Sequence, residues 1–333
     1  MKSDNKNQMS IFSTDRKSGQ VIEKLIFPLG LAIVYIFFDF LLGGGVLLQK
    51  NAFLTLISHT VIQAYIAWGL IFVFSGGPDF SIAGAMVLAA NVGAVAVTDW
   101  HLGYFGLFFF CIVVTIVLQL LASFVRIKFK LPTWVSGLAM LMIYEAIGAV
   151  YTTSRSARGL TTITLGADQC RALGRGAWPI GFLIVGTIIM HFVFSNTEIG
   201  ISYRASSVNP VVAGYMGINS KKSQYIAAAV GAVSVGIAAA LTISTNAKLA
   251  TCTGLGSISV IGKALATWLL AGAMEKRLSK PVCILLGAFF TAFLFNVMTR
   301  LNVPSGTWQD VANAGFILVF GALSFAGTKE VVK

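Results

Sequence analysis

Ten apolar runs, each about the length of a membrane-crossing helix, divide this 333-residue chain and restrict what it can fold into. They fall near 26–42, 52–74, 82–98, 103–125, 133–151, 179–195, 225–245, 258–274, 282–298 and 308–326. Crossing about 30 Å of hydrocarbon takes about 20 apolar residues in a helix. With no water in that layer, the backbone must pair within each segment. A transmembrane barrel would show alternating segments of about ten residues, and none occurs. Only 11% of residues are charged, against about 25% in an ordinary soluble domain. The fold class expected is an all-α polytopic membrane protein with about ten transmembrane helices.

The net charge of +12 does not call for nucleic acid, because the basic residues lie between the runs. With the N-terminus inside, the inner segments hold 16 Lys and Arg and the outer loops 7, the bias expected of cytoplasmic loops. Both termini are therefore expected in the cytoplasm. The organisation is a tail at 1–25, a transmembrane unit at 26–326 and a tail at 327–333. The polar interruption at 196–224 lies inside and the loop at 152–178 outside. The first run lacks the flanks of a cleaved signal peptide and is read as retained. Four cysteines without paired spacing support neither a metal site nor a disulfide framework.

Two short patterns repeat five helices apart. Ser81-Ile82-Ala83-Gly84 opens the third run and Ser259-Val260-Ile261-Gly262 lies in the eighth. Pro132-Thr133-Trp134 opens the fifth, and Pro304-Ser305-Gly306-Thr307-Trp308 leads into the tenth. An odd offset inverts the second half, which gives a five-plus-five inverted repeat of the kind that handles solute at its interface.

No nucleotide or hydrolase motif is present. Gly256–Lys263 has one spacer too many for a phosphate loop and lies in an apolar run. Any nucleotide energy must come from another chain, and this one is expected to be a transport subunit rather than an enzyme, with no cofactor and no metal of its own. Ser75-Gly76-Gly77-Pro78-Asp79-Phe80-Ser81 breaks the second run, where Asp79 or Ser81 can cap the next helix. A break at membrane depth needs protein or a watery cavity against it, so Ser75, Gly76, Gly77, Asp79 and Ser81 are candidates for a solute path. Ionisable residues within spans are functional candidates by default, which adds Glu145 and Lys263, two groups able to neutralise each other. Asn91 joins them; Gln63, His59 and Asn296 can face a path or bond between helices. Outside, Arg155, Arg158, Arg171 and Arg175 face a single Asp168, and arginine forks suit carboxylates on an acidic partner.

Three stretches resemble one known family, the permeases of bacterial ATP-binding-cassette importers for ribose, other monosaccharides and autoinducer-2. Phe74–Ile82 in numbers 74–82 is similar to that family's SGGIDLSVG segment, and 131–140 to its VPPFIATLGM segment. Ala213-Gly214-Tyr215-Met216-Gly217-Ile218-Asn219, within 200–221, is similar to the loop whose short helix seats on the ATPase. The likeness runs from about residue 52 to 323. It implies coupling residues Arg204, Asn209, Ala213, Gly214, Met216, Gly217, Ile218 and Asn219. It also implies cytoplasmic ATP-binding subunits that hold ATP and Mg, a second permease chain, a solute-binding protein delivered to the outer loops, and a bacterial inner-membrane location. The sequence departs from the family where a glycine-rich turn is replaced by Glu275-Lys276-Arg277, and at Lys263, where a neutral residue is usual. An ion-gradient-driven carrier using Glu145 or Asp79 is the alternative.

Overall fold

The computed structural model describes residues 49–74, 77–157, 165, 169–275, 278–304 and 306–326, with isolated positions between 30 and 40. Ser75, Gly76, Arg158, both tails and most of the run at 26–42 lie outside them. The described residues form helices and connections, with no strand among them. In order they are α1 (Lys50–Val73), α2 (Ser81–Thr98), α3 (Gly103–Phe129), α4 (Thr133–Ala157), α5 (Trp178–Asn196), α6 (Glu198–Val208), α7 (Pro210–Tyr215), α8 (Ser220–Asn246), α9 (Ile258–Met274), α10 (Lys280–Arg300) and α11 (Thr307–Ala326). Among the described residues seven helices, α1 to α5, α8 and α10, are long and apolar enough to cross a membrane. The chain is a multi-pass helical membrane protein.

Side-chain size decides which helices sit centrally. Helix α2 reads Ser-Ile-Ala-Gly-Ala-Met-Val-Leu-Ala-Ala and is almost wholly buried, as is the inner two-thirds of α1. Small residues let helix backbones approach where lipid supplies no hydrophobic drive between helices. Helices α3 and α5 present Phe105, Phe109, Val117, Ile184 and Ile188 outward, the faces that suit hydrocarbon. Gly69 of α1 and Gly231 of α8 meet backbone to backbone: a Cβ on Gly69 would lie 2.9 Å from the Gly231 carbonyl oxygen, and one on Gly231 2.8 Å from that of Gly69.

The helix pairings also repeat. Exchanging α1 with α8, α2 with α9, α3 with α10 and α4 with α11 turns each of the contacts α3–α8, α2–α3, α2–α4 and α2–α8 into one that is also made: α10–α1, α9–α10, α9–α11 and α9–α1. Gly84 and Gly262, equivalent positions in the two short sequence patterns, do the same job. A Cβ on Gly84 would strike Leu141 and Tyr144 of α4, and one on Gly262 would strike Asn313 of α11.

The polar interruption at 196–224 holds two short helices. Val208 ends α6, Asn209 is extended and Pro210 opens α7. Proline pushes the residue before it out of the helical region, and Asn209 uses that geometry to cap: its Oδ1 accepts from the amides of Val211 at 3.0 Å and Val212 at 3.1 Å. We call the end of the bundle bearing α6 and α7 the lower end.

Candidate functional site

A cavity of about 680 Å³ opens among the upper helix ends, within the size range of small-solute sites. Thr55, Asn246, Thr299, Arg300 and Gln309 stand around its upper part, and Gln63, Ile66 and Met86 lie deeper. His59, Lys263, Phe295 and Asn296 also line it. Intrahelical and interhelical bonds set several of these groups. Thr291 Oγ1 donates to Gln63 Oε1 at 2.7 Å, and Arg300 Nε donates to Asn296 Oδ1 at 2.9 Å. Lys263 Nζ lies 4.1 Å from the centre of the Phe295 ring, a cation–π arrangement.

Of the path residues read from the sequence, Lys263 lines this cavity, as do Gln63, His59 and Asn296. Gly77, Asp79, Ser81, Asn91 and Glu145 do not. Asp79 lies buried at the lower end, where its Oδ1 accepts from the Ser81 amide at 3.0 Å and the Ser81 hydroxyl at 2.6 Å. Its Oδ2 pairs with Arg126 Nη1 at 3.3 Å, with Gln119 beside it at 3.4 Å. Burial pushes the Asp79 carboxyl up, and Arg126, Ser81 and Gln119 oppose that push. Gly137 of α4 makes this packing possible, since a Cβ there would come 2.7 Å from Asp79 Oδ1. Gly77 holds φ +140, a backbone that side chains rarely adopt.

Glu145 corrects a sequence expectation. It does not neutralise Lys263. Its two oxygens accept the backbone amides of Leu255 at 2.9 Å and Ser257 at 2.7 Å, at the start of α9. Glu145 is the thirteenth residue of the 25-residue α4, so α9 begins about halfway down the bundle. The non-helical segment 247–257 descends to that point past Asn91, whose Nδ2 donates to Leu249 O at 3.1 Å, and past Thr152, whose hydroxyl meets that of Thr251 at 3.1 Å. Unpaired amides at such depth are costly, and a carboxylate at a helix N-terminus answers both the amides and the helix dipole. Sequence spacing does not reveal this role, because the partners are main-chain groups more than a hundred residues away.

The outer arginines are largely committed within the chain. Arg155 is buried and forms a two-point ion pair with Asp99 at the end of α2, its Nη2 3.1 Å from Asp99 Oδ1. It is therefore not a free docking group, which corrects that part of the expectation. Arg171 and Arg175 converge on the Thr245 carbonyl at 3.1 Å and 3.3 Å. That carbonyl belongs to the last turn of α8, where cations are favoured. Gly174 N donates to Ser244 Oγ at 2.9 Å and Ser244 Oγ to Cys170 O at 2.6 Å, so the described part of this loop is stitched to the same helix end.

At the lower end, α7 closes with a left-handed glycine. Gly217 has φ +80, its amide bonds Gly214 O at 3.0 Å and the Ile218 amide bonds Ala213 O at 3.0 Å, the pair of bonds that define a Schellman cap. Asn219 then caps α8 by accepting from Lys222 N at 3.1 Å. Ala213 is buried, while Val208, Val211, Val212, Tyr215 and Met216 stand out from the surface, Tyr215 at 88% exposure. Gly214 is also exposed. Arg204 packs back, its guanidinium 5.1 Å over Phe194 and its Nε on Gly200 O at 3.3 Å. A groove of about 350 Å³ beside α7 is lined by Glu198, Ser202, Gly217, Ile218, Asn219 and Lys222, among others. Tyr203 ties this segment to the bundle by donating its hydroxyl to Ile71 O.

The structure is thus a helical bundle with a polar cavity at one end and a protruding, capped apolar turn at the other. The family model for the permease component of branched-chain amino acid transport systems matches residues 52–325, and the chain belongs to that family. It is also 26% identical over 196 residues to the autoinducer 2 import system permease protein LsrC of Photorhabdus laumondii, covering 57% of this chain and 56% of that protein. The match thus spans little more than half the length of that curated relative. No solved structure matches.

Proposed function

We propose that this chain is the membrane subunit of an ATP-binding-cassette importer for a sugar or related small polar solute. The upper cavity is the solute path, and α6–α7 couples it to a separate ATPase that binds ATP and Mg. One observation carries the reading: the segment joining α5 to α8 exposes Val211, Val212, Tyr215 and Met216 on a capped turn, with Val208 just before it. Exposed apolar clusters of this kind mark partner surfaces. The lower end is then cytoplasmic and both termini lie on that side. The run at 26–42 with α9 and α11 brings the spans to ten, and the exchange symmetry of the helix contacts supports a five-plus-five inverted repeat.

The assembly proposed contains two permease chains, identical or homologous, two ATPases and an extracytoplasmic binding protein, in a bacterial inner membrane. For binding-protein docking Arg158 and the exposed Arg175 are retained; Arg155 is not. The test is affinity purification of the full chain from its native membrane in mild detergent. The expected result is a co-purifying ATP-binding subunit that is lost in V211D/Y215D, with the variant still folded by its thermal midpoint. Recovery of the chain without an ATPase, while it remains folded and sustains uptake on an ion gradient, would overturn the proposal.

A further inference from the structure

Resting on the cavity as solute path, we infer that the solute is anionic: a sugar-like ring or chain bearing a carboxylate or phosphate, with Lys263 as its counter-charge. Among the described residues the cavity lining carries Lys263 and Arg300 and no Asp or Glu. Arg300 is not needed for the argument, because its Nε is already held by Asn296 Oδ1 at 2.9 Å. Lys263 is different. Among the described residues it has no ion-pair partner. Asp310, on α11, is exposed and does not line the cavity. The Lys263 ammonium lies against the face of Phe295, with His59 in the same lining.

An ammonium is a compact, strongly hydrated charge, and an open cavity can keep it wet. When a solute fills the space, that water leaves. A neutral solute would strip the hydration and return only hydroxyl dipoles, whereas an anion returns a charge-assisted hydrogen bond. The remaining lining suits the rest of such a molecule. Gln63, Asn246, Asn296 and Gln309 offer amides to hydroxyls, and Phe295 and Met86 offer apolar faces to carbon. Amides would suffice for a neutral sugar. A charge inside the bundle is costly and adds selectivity for the anion, since wrong solutes leave it unpaired.

The test uses the purified full-length chain in detergent with D-ribose, D-ribonate, D-ribose 5-phosphate and inorganic phosphate as probes. Amine acylation of Lys263 is followed by peptide mass spectrometry, with Lys221 and Lys222 as internal controls. Ribonate or ribose 5-phosphate should slow acylation of Lys263 alone, saturably, and which of the two acts distinguishes carboxylate from phosphate. Ribose should not. K263Q should weaken binding of the effective probe, read as its thermal-midpoint titration, by on the order of 10- to 100-fold, and K263R should restore part of it. Protection by ribose equal to that by the anions overturns the inference while leaving the cavity as a sugar path. Protection by inorganic phosphate alone, unselective protection of all three lysines, or no protection by any probe also overturns it. The last result counts against the cavity as a solute site altogether.

Discussion

Glu145→Ala tests the claim that a side chain halfway along α4 holds the start of α9. Two charge-assisted hydrogen bonds are lost, from Leu255 N and Ser257 N, at about 1.5–3 kcal/mol each, so the expected destabilisation is about 3–6 kcal/mol. Glu145→Gln keeps one acceptor but turns an NH2 toward the other amide, so it should fall between wild type and alanine. In a chain of this size the alanine variant should lower the thermal midpoint by on the order of 10 °C at a fixed scan rate. The companion measurement is the double variant with Lys263→Ala. Because Glu145 bonds main-chain amides and Lys263 faces the cavity, the two effects should add to within about 0.5 kcal/mol. A midpoint for Glu145→Ala close to that of wild type would refute the capping role. Coupling well above that margin would restore the ion pair that the sequence suggested.

Other outcomes follow from the same geometry. Gly217→Val forces a β-branched residue to φ +80 and should unwind the α7 cap; uptake-coupled ATP hydrolysis should fall while the bundle's thermal midpoint stays put. Asn209→Ala removes the α7 N-cap, worth about 0.5–2 kcal/mol locally, and faster limited proteolysis within 208–217 would report it. Gly231→Ala puts a methyl where a carbonyl already sits, and a loss of about 1–3 kcal/mol in thermal or denaturant unfolding is expected. The Arg155 guanidinium holds the Asp99 carboxyl below its ordinary value of 3.8. That contribution is present above the ordinary value and fades as pH falls through the lowered one. Asp99 is 36% exposed, so Asp99→Asn should cost under about 1 kcal/mol. The gap from wild type should close in acid; a gap that persisted with the carboxyl protonated would refute the pairing.

Helix existence was legible because hydrocarbon imposes it: runs such as 103–125 and 225–245 leave few alternatives. Their ends were less so. Helix α4 continues to Ala157 and α8 begins at Ser220, since polar turns outside hydrocarbon carry no apolar signal. The turns on either side of α7 rest on Asn209, Pro210, Gly217 and Asn219, whose backbone preferences act locally. The partners of Glu145, Arg171 and Arg175 were not legible because they are main-chain groups, which leave no mark on side-chain pattern. Two arginines of the 152–178 loop grip the Thr245 carbonyl, a contact the sequence does not announce. The cavity was half visible: His59, Gln63, Asn296 and Lys263 stood out against apolar runs, but Thr55, Thr299, Arg300 and Gln309 lie at helix ends where polar residues are ordinary.

The meeting of Gly69 and Gly231 constrains how the two halves can move. Sliding α1 along α8 by one turn would bring Tyr65 or Val73 to the place of Gly69, or Ala227 or Val235 to that of Gly231. Each carries a Cβ into a gap that holds none. Val235, Val73 and Phe72 pack close around the same point. The crossing therefore resists translation of α1 along α8 in either direction and fixes the height at which these two central helices meet.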